Sequence, residues 1–284
     1  MHVIGASGRT GSALCRALQR DGAGFIPIVR NAARWAAAGI QEPARVADVT
    51  NAAALRTALA DAACIVCCAH AHHADAVLQA APIDARFVFI GSTRKFTQWP
   101  DAHGTGVIAG EATFLASGRA GVMLHPTMIY GATGEDNVQR LAALLRRLPI
   151  MPLPGGGRAL VQPIHQDDVT RAIRAAIVSR WSGPEAMVIA GPEPLPYAAF
   201  VRAIAAAAGT REPLIVSLPV RPLMTVAPLV AWTGLLPAIR REEIRRLTED
   251  KAFDITAMRT RLGVEPVPLA EGLARTFPPS HNRN

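Results

Sequence analysis

Three glycines near the start of the chain have a spacing that suits phosphate binding. Gly5, Gly8 and Gly11 follow the apolar run at residues 2–4 and precede a stretch whose apolar residues recur at helical intervals. A strand, a glycine turn and a helix form a cradle in which backbone N–H groups and the positive end of the helix dipole face an anion. The pattern predicts a nucleotide diphosphate site, although its spacing is G-x-x-G-x-x-G rather than G-x-G-x-x-G.

The end of the second predicted strand bears on which dinucleotide this turn binds. An acidic residue there would hydrogen-bond a ribose 2′-hydroxyl, whereas arginine suits a 2′-phosphate. The strand ends at Arg30 with no acid, and Arg9 stands within the glycine turn. Two arginines favour NADP over NAD, while the alternative is that Arg30 simply faces water at the sheet edge. Asp48 and Val49 end the third predicted strand, where they are placed for the adenine amino group.

Short apolar runs alternate with helical patterns through the first half of the chain, which is typical of βαβ units. The predicted strands are 2–4, 25–30, 45–49, 63–69, 86–91, 120–125 and 187–191, and the predicted helices are 12–18, 51–60, 73–81, 107–117, 134–147, 167–179, 197–208, 239–249 and 267–275. The expected fold class is α/β: a Rossmann doubly wound parallel sheet with a smaller, mainly helical C-terminal substrate lobe. We assign the NAD(P)-binding domain to residues 1–150, with a strand near 186–191 returning to it, and the substrate lobe to residues 151–284.

Composition narrows the range of partners. The chain has 284 residues, of which half are hydrophobic, so it can bury a large core. Its formal net charge is +8, but the basic residues are scattered and only 5% of residues are aromatic. The chain has few aromatic side chains on which bases could stack, and its basic residues do not form a concentrated patch. These features argue against nucleic-acid binding and favour a small anionic or polar ligand.

The cysteines at 15, 64, 67 and 68 are predicted to be buried free thiols. Cys64 and Cys67 have C-x-x-C spacing, and His70, His72 and His73 follow, so a metal site must be considered. Residues three apart on a strand point to opposite faces, and the chain offers no second ligand pair. We therefore expect no metal, and free thiols fit the cytoplasm.

Neither a signal peptide nor a membrane span is expected. The first strand begins at residue 2, and the apolar segment 223–236 is shorter than a bilayer and interrupted by proline. The arginines that follow this segment leave contact with a membrane surface as a minor alternative. An oligomer is compatible with the sequence.

With these elements in order, the chain resembles the extended and atypical short-chain dehydrogenase/reductases. This group includes epimerase/dehydratase-like proteins and the nucleotide-binding accessory subunit of respiratory complex I. The resemblance covers nearly the whole chain and rests on the glycine turn at 5–11, Asp48-Val49, Gly91-Ser92-Thr93, Glu111, Pro126, Tyr130-Gly131, residues 161–165, Asp167-Asp168-Val169, residues 246–251 and Leu262-Gly263. It implies NAD(P) binding by Gly5, Ser7, Gly8, Arg9, Thr10, Gly11, Arg30, Asp48, Val49, Ala69, Ser92 and Pro126.

The resemblance also implies a catalytic set, which is incomplete here. Such enzymes use a serine or threonine with Tyr-x-x-x-Lys, and Ser92 and Thr93 stand where the hydroxyl belongs. Counting back from the helix glutamate, His103 occupies the place of the tyrosine and Val107 that of the lysine. His103 is a candidate acid/base, although a lone loop histidine is more often solvated.

Several other residues bear on how the missing pair could be replaced. Lys95 is a candidate source of positive charge near Ser92. The chain's two tyrosines, Tyr130 and Tyr197, are not natural substitutes. His165 precedes Asp167-Asp168, where one of the two aspartates is expected to cap a helix.

Two functions remain open on this basis. The first is an NAD(P)-dependent oxidoreductase or epimerase acting on a small polar substrate such as a nucleotide sugar. The second is a non-catalytic NADP-binding sensor or assembly protein, favoured by an intact glycine turn beside a missing dyad. Nucleic-acid binding through the basic surface is a distant third.

Overall fold

A computed structural model describes residues 1–131, 137–219 and 245–278. Its strands are β1 (His2–Ile4), β2 (Ile26–Val29), β3 (Arg45–Val46), β4 (Cys64–Cys67), β5 (Arg86–Ile90), β6 (Gly121–Pro126), β7 (Ile129–Tyr130), β8 (Ile150–Pro154), β9 (Leu160–Val161), β10 (Ile164–His165), β11 (Pro184–Ile189), β12 (Leu195–Pro196) and β13 (Leu214–Leu218). Its helices are α1 (Arg9–Arg20), α2 (Ala32–Ala36), α3 (Ala52–Leu59), α4 (Ala74–Ala80), α5 (Ala102–Ala116), α6 (Asn137–Leu145), α7 (Gln166–Val178), α8 (Tyr197–Ala207), α9 (Thr256–Leu262) and α10 (Leu269–Thr276).

Seven parallel strands form the central sheet in the order β3-β2-β1-β4-β5-β6-β11. The strand order reverses between β1 and β4, which is the topological switch point of a doubly wound fold. Ligands of such folds bind outside the carboxyl ends of the strands at this point. The predicted α/β Rossmann architecture is confirmed.

Apolar side chains cover both faces of the sheet, because strand residues alternate in direction. On one face, Val3 and Val66 pack with Leu14 of α1 and Ile173 of α7. On the other face, residues such as Phe89 pack against α3, α4 and α5. Burial on both faces explains why the strands appear in the sequence as nearly continuous apolar runs.

A third apolar cluster lies apart from the sheet. It joins Tyr130 and β8 to one face each of α6, α8 and α10, with Phe200 and Leu273 among its buried residues. Three two-stranded pairs, β10 with β7, β12 with β9 and β13 with β8, belong to this part of the chain.

Several predicted boundaries differ from those observed. The strand predicted at 45–49 is limited to β3, and the helix predicted at 107–117 begins five residues earlier, at Ala102. The strand predicted at 187–191 is β11, which starts at Pro184. The apolar segment 223–236, most of the predicted helix 239–249 and the start of the one at 134–147 lie outside the described residues. Within the described ranges, no helix has the length and apolar character needed to cross a bilayer.

Candidate functional site

The glycine turn joins β1 to α1 at the carboxyl edge of the sheet. Gly5 has a left-handed φ of +72°, and a Cβ there would lie 3.0 Å from the backbone nitrogen of Ala69. A Cβ on Gly11 would lie 2.3 Å from the Gly5 carbonyl oxygen. Only glycine therefore lets α1 begin so close to β1 and lets the turn press against the chain that follows β4.

Gly8 is the N-cap of α1 and has no side chain with which to cap the first-turn N–H groups. A Cβ on Gly8 would meet only the Gly5 carbonyl oxygen, at 3.1 Å. The first turn of α1 contains no acidic residue, so nothing there opposes an anion. A helix N-terminus with no side-chain cap, its positive dipole end and a surface that a Cβ would fill all fit the diphosphate of a dinucleotide.

Polar groups at the ends of β2 and β3 define the side of the site predicted to hold the adenosine. Arg30 is exposed, and its charge acts on Asp48. The Asp48 carboxylate accepts hydrogen bonds from the Thr50 N–H and hydroxyl, which hold its pKa below the usual range. The next residue, Asn31, accepts a hydrogen bond from the Arg34 N–H and caps α2. Neither of the two residues that follow β2 is therefore a carboxylate.

The segment after β5 carries the two candidate hydroxyls, and their hydrogen bonds differ. The Thr93 hydroxyl donates to the Pro126 carbonyl at 3.2 Å. The Ser92 oxygen accepts from the Arg94 N–H at 3.1 Å, which leaves its own proton for another acceptor. Ser92 is therefore better suited than Thr93 to donate to a substrate oxygen.

A partly buried network of charged groups lies behind these hydroxyls. The Lys95 ammonium donates to Glu111 Oε1 at 2.6 Å, and His125 Nε2 lies 2.9 Å from Glu111 Oε2. His125 Nδ1 accepts from the Ser92 N–H at 3.1 Å, so the network fixes the backbone beside the candidate catalytic serine.

Burial lowers the pKa of His125, and the Lys95 ammonium lowers it further. The ring of His125 lies against Gly91, where a Cβ would be 2.3 Å from Nδ1. Lys95 is thus held by Glu111, and its place in the site is behind Ser92 within this network.

Four histidines gather where β4 and the start of α5 meet. His70 Nε2 lies 3.0 Å from His103 Nδ1, and His70 Nδ1 lies 2.7 Å from His72 Nδ1. The rings of His72 and His73 are 3.7 Å apart between centroids. Burial lowers the pKa of His70 to about 4 and is also the largest cause of the lowered pKa values of His73 and His103.

The expectation that His103 lies in a loop is wrong. Asp101 is the N-cap of α5 and accepts from the Gly104 N–H at 2.8 Å, so His103 occupies the first turn of the helix. Gly104 and Gly106 weaken the helical pattern of the sequence at this point, so the start of α5 is difficult to predict. A Cβ on Gly104 would lie 2.9 Å from the Arg94 carbonyl oxygen, and one on Gly106 would lie 3.0 Å from the His70 ring.

Val107, the other position of the family's dyad, and the two tyrosines are structural. Val107 is 1% exposed and belongs to the core beside α5. Tyr130 is 1% exposed, with its hydroxyl against Gly272, and burial raises its pKa. Burial also raises the pKa of Tyr197, to about 12, and this tyrosine packs against the third cluster. Neither tyrosine lies with the groups at the carboxyl edge of the sheet.

The structure also describes the surroundings of the cysteines and the cap of α7. Cys15, Cys64 and Cys67 are buried free thiols, Cys68 is partly exposed, and burial raises the pKa of each. Within the described ranges, no group of three or more His, Cys, Asp or Glu side chains is placed to hold a metal ion. The prediction that Asp167 or Asp168 caps α7 is wrong, because His165 Nδ1 accepts from the Asp167 N–H.

Comparisons with known proteins bear directly on the glycine turn. Residues 5–109 match the family model described as NAD(P)H-binding, and this range holds the turn, the ends of β2 to β5 and the four histidines. These residues form an NAD(P)H-binding domain. The predicted cofactor class is thereby confirmed. No curated protein gives a significant match to the chain.

Solved structures extend the likeness to the whole chain. An NADPH-dependent quinone oxidoreductase from Escherichia coli, complexed with NADPH, is 17% identical with a TM-score of 0.74, covering 97% of this chain and 99% of its own. A UDP-glucuronic acid 4-epimerase from Bacillus cereus, complexed with UDP-glucuronic acid and NAD, is 17% identical with a TM-score of 0.72 and 97% coverage of each chain. A short-chain dehydrogenase/reductase superfamily protein from Agrobacterium tumefaciens, with bound NAD, is 15% identical with a TM-score of 0.71, covering 96% and 94%.

At these identities the likeness is one of fold, and it confirms the resemblance to NAD(P)-dependent short-chain dehydrogenase/reductases and epimerases. The contact between His70 and His103 and the network around Glu111 were not predicted. One sequence signal was available: Asp101 stands three residues before Gly104 and marks a helix N-terminus ahead of His103.

Proposed function

We propose that the protein is an NADP-dependent oxidoreductase or epimerase/dehydratase-type enzyme acting on a small polar substrate. The observation that carries the proposal is the glycine turn, in which Gly5, Gly8 and Gly11 place the N-terminus of α1, which has no side-chain cap, at the carboxyl edge of the sheet. In this proposal the domain boundary falls near residue 150, and β11 returns to the first domain. The residues taken to contact the cofactor are Gly5, Ser7, Gly8, Arg9, Thr10, Gly11, Arg30, Asp48, Val49, Ala69, Ser92 and Pro126.

The preference for NADP rests on the charges beside β2. Arg30 follows the strand and is exposed, and the position after it is an asparagine whose side chain is engaged in capping α2. A guanidinium pairs well with a 2′-phosphate, whereas a 2′-hydroxyl calls for a carboxylate. We expect Arg30→Ala to weaken NADPH binding by at least about tenfold, which is the contribution expected of one charge-assisted hydrogen bond. NADH binding should stay nearly unchanged, and calorimetry measures both affinities. Equal losses for both dinucleotides would contradict the preference.

The dinucleotide, when bound, supplies the hydride for carbonyl reduction, and the chain's own residues supply the rest. Ser92 has a hydroxyl proton to donate to a carbonyl oxygen, and His103 is the candidate acid. Lys95 and Thr93 are also candidates from the sequence. Lys95 bonds Glu111 and Thr93 bonds the Pro126 carbonyl, so both residues position the loop that carries Ser92. The titles of the similar structures suggest quinones and nucleotide sugars as the first substrates to test.

The decisive experiment has two stages. Calorimetry and thermal shift with NADPH, NADP, NADH and NAD test cofactor binding, and no binding at millimolar concentration would overturn the proposal. Transfer of deuterium from NADPH labelled at C4 to quinones, small carbonyls and UDP-sugars then tests for an oxidoreductase. Exchange at a sugar carbon with bound cofactor tests for an epimerase.

A second function has its own observation. Val107, buried in the core, stands where a lysine is needed to hold a ribose and lower a tyrosine pKa. A sensor or assembly protein would bind NADPH and NADP with clearly different affinities and give no labelled product. The two stages therefore separate this alternative from the enzyme.

A further inference from the structure

Two exposed aromatic side chains stand on the loop that follows Ser92. In the part of the chain that the structure describes, Phe96 and Trp99 are the only exposed residues among the phenylalanines, tyrosines and tryptophans, at 53% and 42%. Single apolar side chains are ordinary on a protein surface, but aromatic rings expose the largest apolar area. Two such rings on one loop, beside a candidate catalytic serine, indicate a surface that a ligand covers.

Phe96 lies close to Ser92 because the loop forms a turn of 3₁₀ helix. The turn comprises Thr93–Phe96, and Ser92 is its N-cap. At a rise of about 2 Å per residue, Ser92 and Phe96 are about 8 Å apart along the axis of the turn. A substrate whose carbonyl oxygen meets the Ser92 hydroxyl therefore extends within reach of the Phe96 ring.

Hydrogen bonds hold the part of the loop that lies between the two rings. The Glu249 carboxylate, 8% exposed, accepts from the Thr97 hydroxyl and from the Gln98 N–H. The Trp99 N–H donates to the Thr97 hydroxyl oxygen at 3.2 Å. The rings are thus presented on a fixed backbone, and a ligand that binds them has no loop to order.

The contacts that the rings already make leave part of each ring free. Phe96 packs against Phe253 with centroids 5.5 Å apart, and Lys95 Nζ lies 4.8 Å from the Phe96 centroid. The Arg245 guanidinium lies 5.0 Å from the Trp99 centroid. Both residues keep their exposure with these neighbours in place. The neighbours therefore orient the rings without covering them.

The order of the sheet places this aromatic surface, Phe96 and Trp99, at one end of the site. The loop follows β5, which lies on the opposite side of β1 from β2 and β3. The ends of β2 and β3 are predicted to hold the adenosine. Because a dinucleotide lies across the switch point of such a sheet, its nicotinamide and the substrate belong on the side of β5.

We propose that Phe96 and Trp99 stack on the ring of an aromatic carbonyl substrate, and so select an aryl ketone or aldehyde over an aliphatic carbonyl compound of the same size. This rests on the proposed function. Aromatic pairs with centroids about 4.5–7 Å apart gain more than the burial of their area provides, which a saturated ring does not. The carbonyl carbon gains hydride from the reduced dinucleotide, and its oxygen gains the Ser92 proton, which water replaces. The product is an alcohol, and the dinucleotide is oxidised.

Acetophenone and cyclohexyl methyl ketone test the proposal, because they differ only in whether the ring is aromatic. Their binding is measured with the protein saturated with oxidised NADP, which has no hydride to give. The reporter is the indole N–H resonance of Trp99, assigned by its loss in Trp99→Phe. We expect a saturable shift and at least about threefold tighter binding of acetophenone. An unmoved resonance or equal affinities would overturn the proposal.

Phe96→Leu separates the aromatic contribution from apolar contact in general. It should weaken acetophenone binding by about threefold to tenfold and leave binding of the saturated ketone nearly unchanged. The control is Ile150→Ala, which alters another exposed apolar side chain, on β8, and should change neither affinity. Equal losses for the two ketones in Phe96→Leu, or no loss for either, would contradict stacking.

Kinetics with NADPH provide the second readout. In the double variant Phe96→Leu/Trp99→Leu, the ratio of kcat/KM for acetophenone to kcat/KM for the saturated ketone should fall by about tenfold or more. The intrinsic reactivity of each ketone cancels when the variants are compared. An unchanged ratio would overturn the aromatic surface alone. Absence of NADPH binding would instead contradict the proposed function.

Discussion

At the scale of single residues, the three glycines of the turn have separable roles. Gly5 has a left-handed φ of +72°, and a Cβ at Gly11 would lie 2.3 Å from a backbone oxygen, whereas a Cβ at Gly8 would have a single backbone contact, at 3.1 Å. The backbone of Gly8, with φ −77° and ψ 170°, is also open to any residue. Gly8 is therefore the position at which the folding requirement and the binding requirement can be distinguished.

We predict that Gly8→Ala folds with a free energy of unfolding within about 1 kcal/mol of that of the original protein. The variant should bind NADPH at least about tenfold more weakly, because the added methyl group occupies the space that the diphosphate must approach. Calorimetry and urea unfolding measure the two effects. The matched control is Gly24→Ala, where a Cβ would meet nothing within 4 Å and neither quantity should change. Undiminished NADPH affinity in Gly8→Ala would contradict a cradle at this turn.

The network around Glu111 shows what residue-level reasoning could and could not predict. The sequence identified Glu111 as the family's helix glutamate and Lys95 as a charge near Ser92, but not that they bind each other at 2.6 Å. Their pairing depends on how the loop after β5 folds back over α5, which neither periodicity nor local spacing encodes. The role of His125, which bonds the Ser92 amide, depends on the same long-range contact.

At the scale of elements, α5 determines where the histidines meet. Its glycines let the helix backbone approach the turn at residues 71–73, and a Cβ on Gly110 would lie 2.0 Å from the Ala71 carbonyl oxygen. This close packing brings His103 to His70. The apolar pattern of the helix could be recognised from the sequence, but glycine weakens the helical signal, so its first turn could not.

We predict that Gly110→Ala destabilises the fold although alanine is the better helix former. Overpacking against backbone costs about 1–3 kcal/mol or more, whereas the gain in helix propensity is about 1 kcal/mol. Urea unfolding measures the net effect. The control, Ala112→Gly on the exposed face of the same helix, should lose only about 1 kcal/mol. A Gly110→Ala variant as stable as the original would show that α5 can move away from Ala71 at little cost.

Other elements differ in how well the sequence predicted them. The sheet strands buried on both faces were all recognised, because their apolar runs are bounded by polar or glycine residues. The short pairs formed by β8 and β13 were missed, since each is held by a partner distant in the chain rather than by its own pattern. The cap of α7 was assigned to an aspartate, the usual cap, whereas His165 takes that position and Asp168 is fully buried.

At the scale of the whole molecule, residues 245–251 connect to the loop after β5 through two carboxylates. Glu249 is 8% exposed and accepts from the Thr97 hydroxyl at 2.8 Å and from the Gln98 N–H at 2.7 Å. Asp101 pairs with both Arg94 and Arg246. These contacts tie a late part of the chain to the loop that carries Ser92 and to the cap of the helix that carries His103.

We predict that Glu249→Ala loosens this loop. Hydrogen bonds to a charged group contribute about 1.5–3 kcal/mol each, so exchange of the Gln98 amide should accelerate by at least about tenfold. Hydrogen–deuterium exchange measures this. The control is Glu212→Ala, which removes an exposed pair with Arg202 and should leave the Gln98 amide unchanged. Equal protection of Gln98 in both variants would rule out the proposed role of Glu249.

The stability of the molecule should also depend on pH through buried histidines, of which His125 is the most informative. Its folded pKa lies below the ordinary value of 6.5 because of burial and Lys95. The unfolded chain therefore takes up a proton below about pH 6.5 that the folded chain does not. The contribution of neutral His125 to the free energy of unfolding is fully present above pH 6.5 and is lost as the pH falls towards the folded pKa.

We predict that the stability gap between the original protein and His125→Asn narrows as the pH drops from 7.5 to 4.5, by about 1.4 kcal/mol for each unit by which the folded pKa is depressed. Asparagine keeps an oxygen to accept the Ser92 N–H but does not titrate, so titrating groups remote from His125 cancel in the difference. Urea unfolding at several pH values measures the gap. A gap that stays constant over this range would mean that the folded pKa of His125 is not depressed.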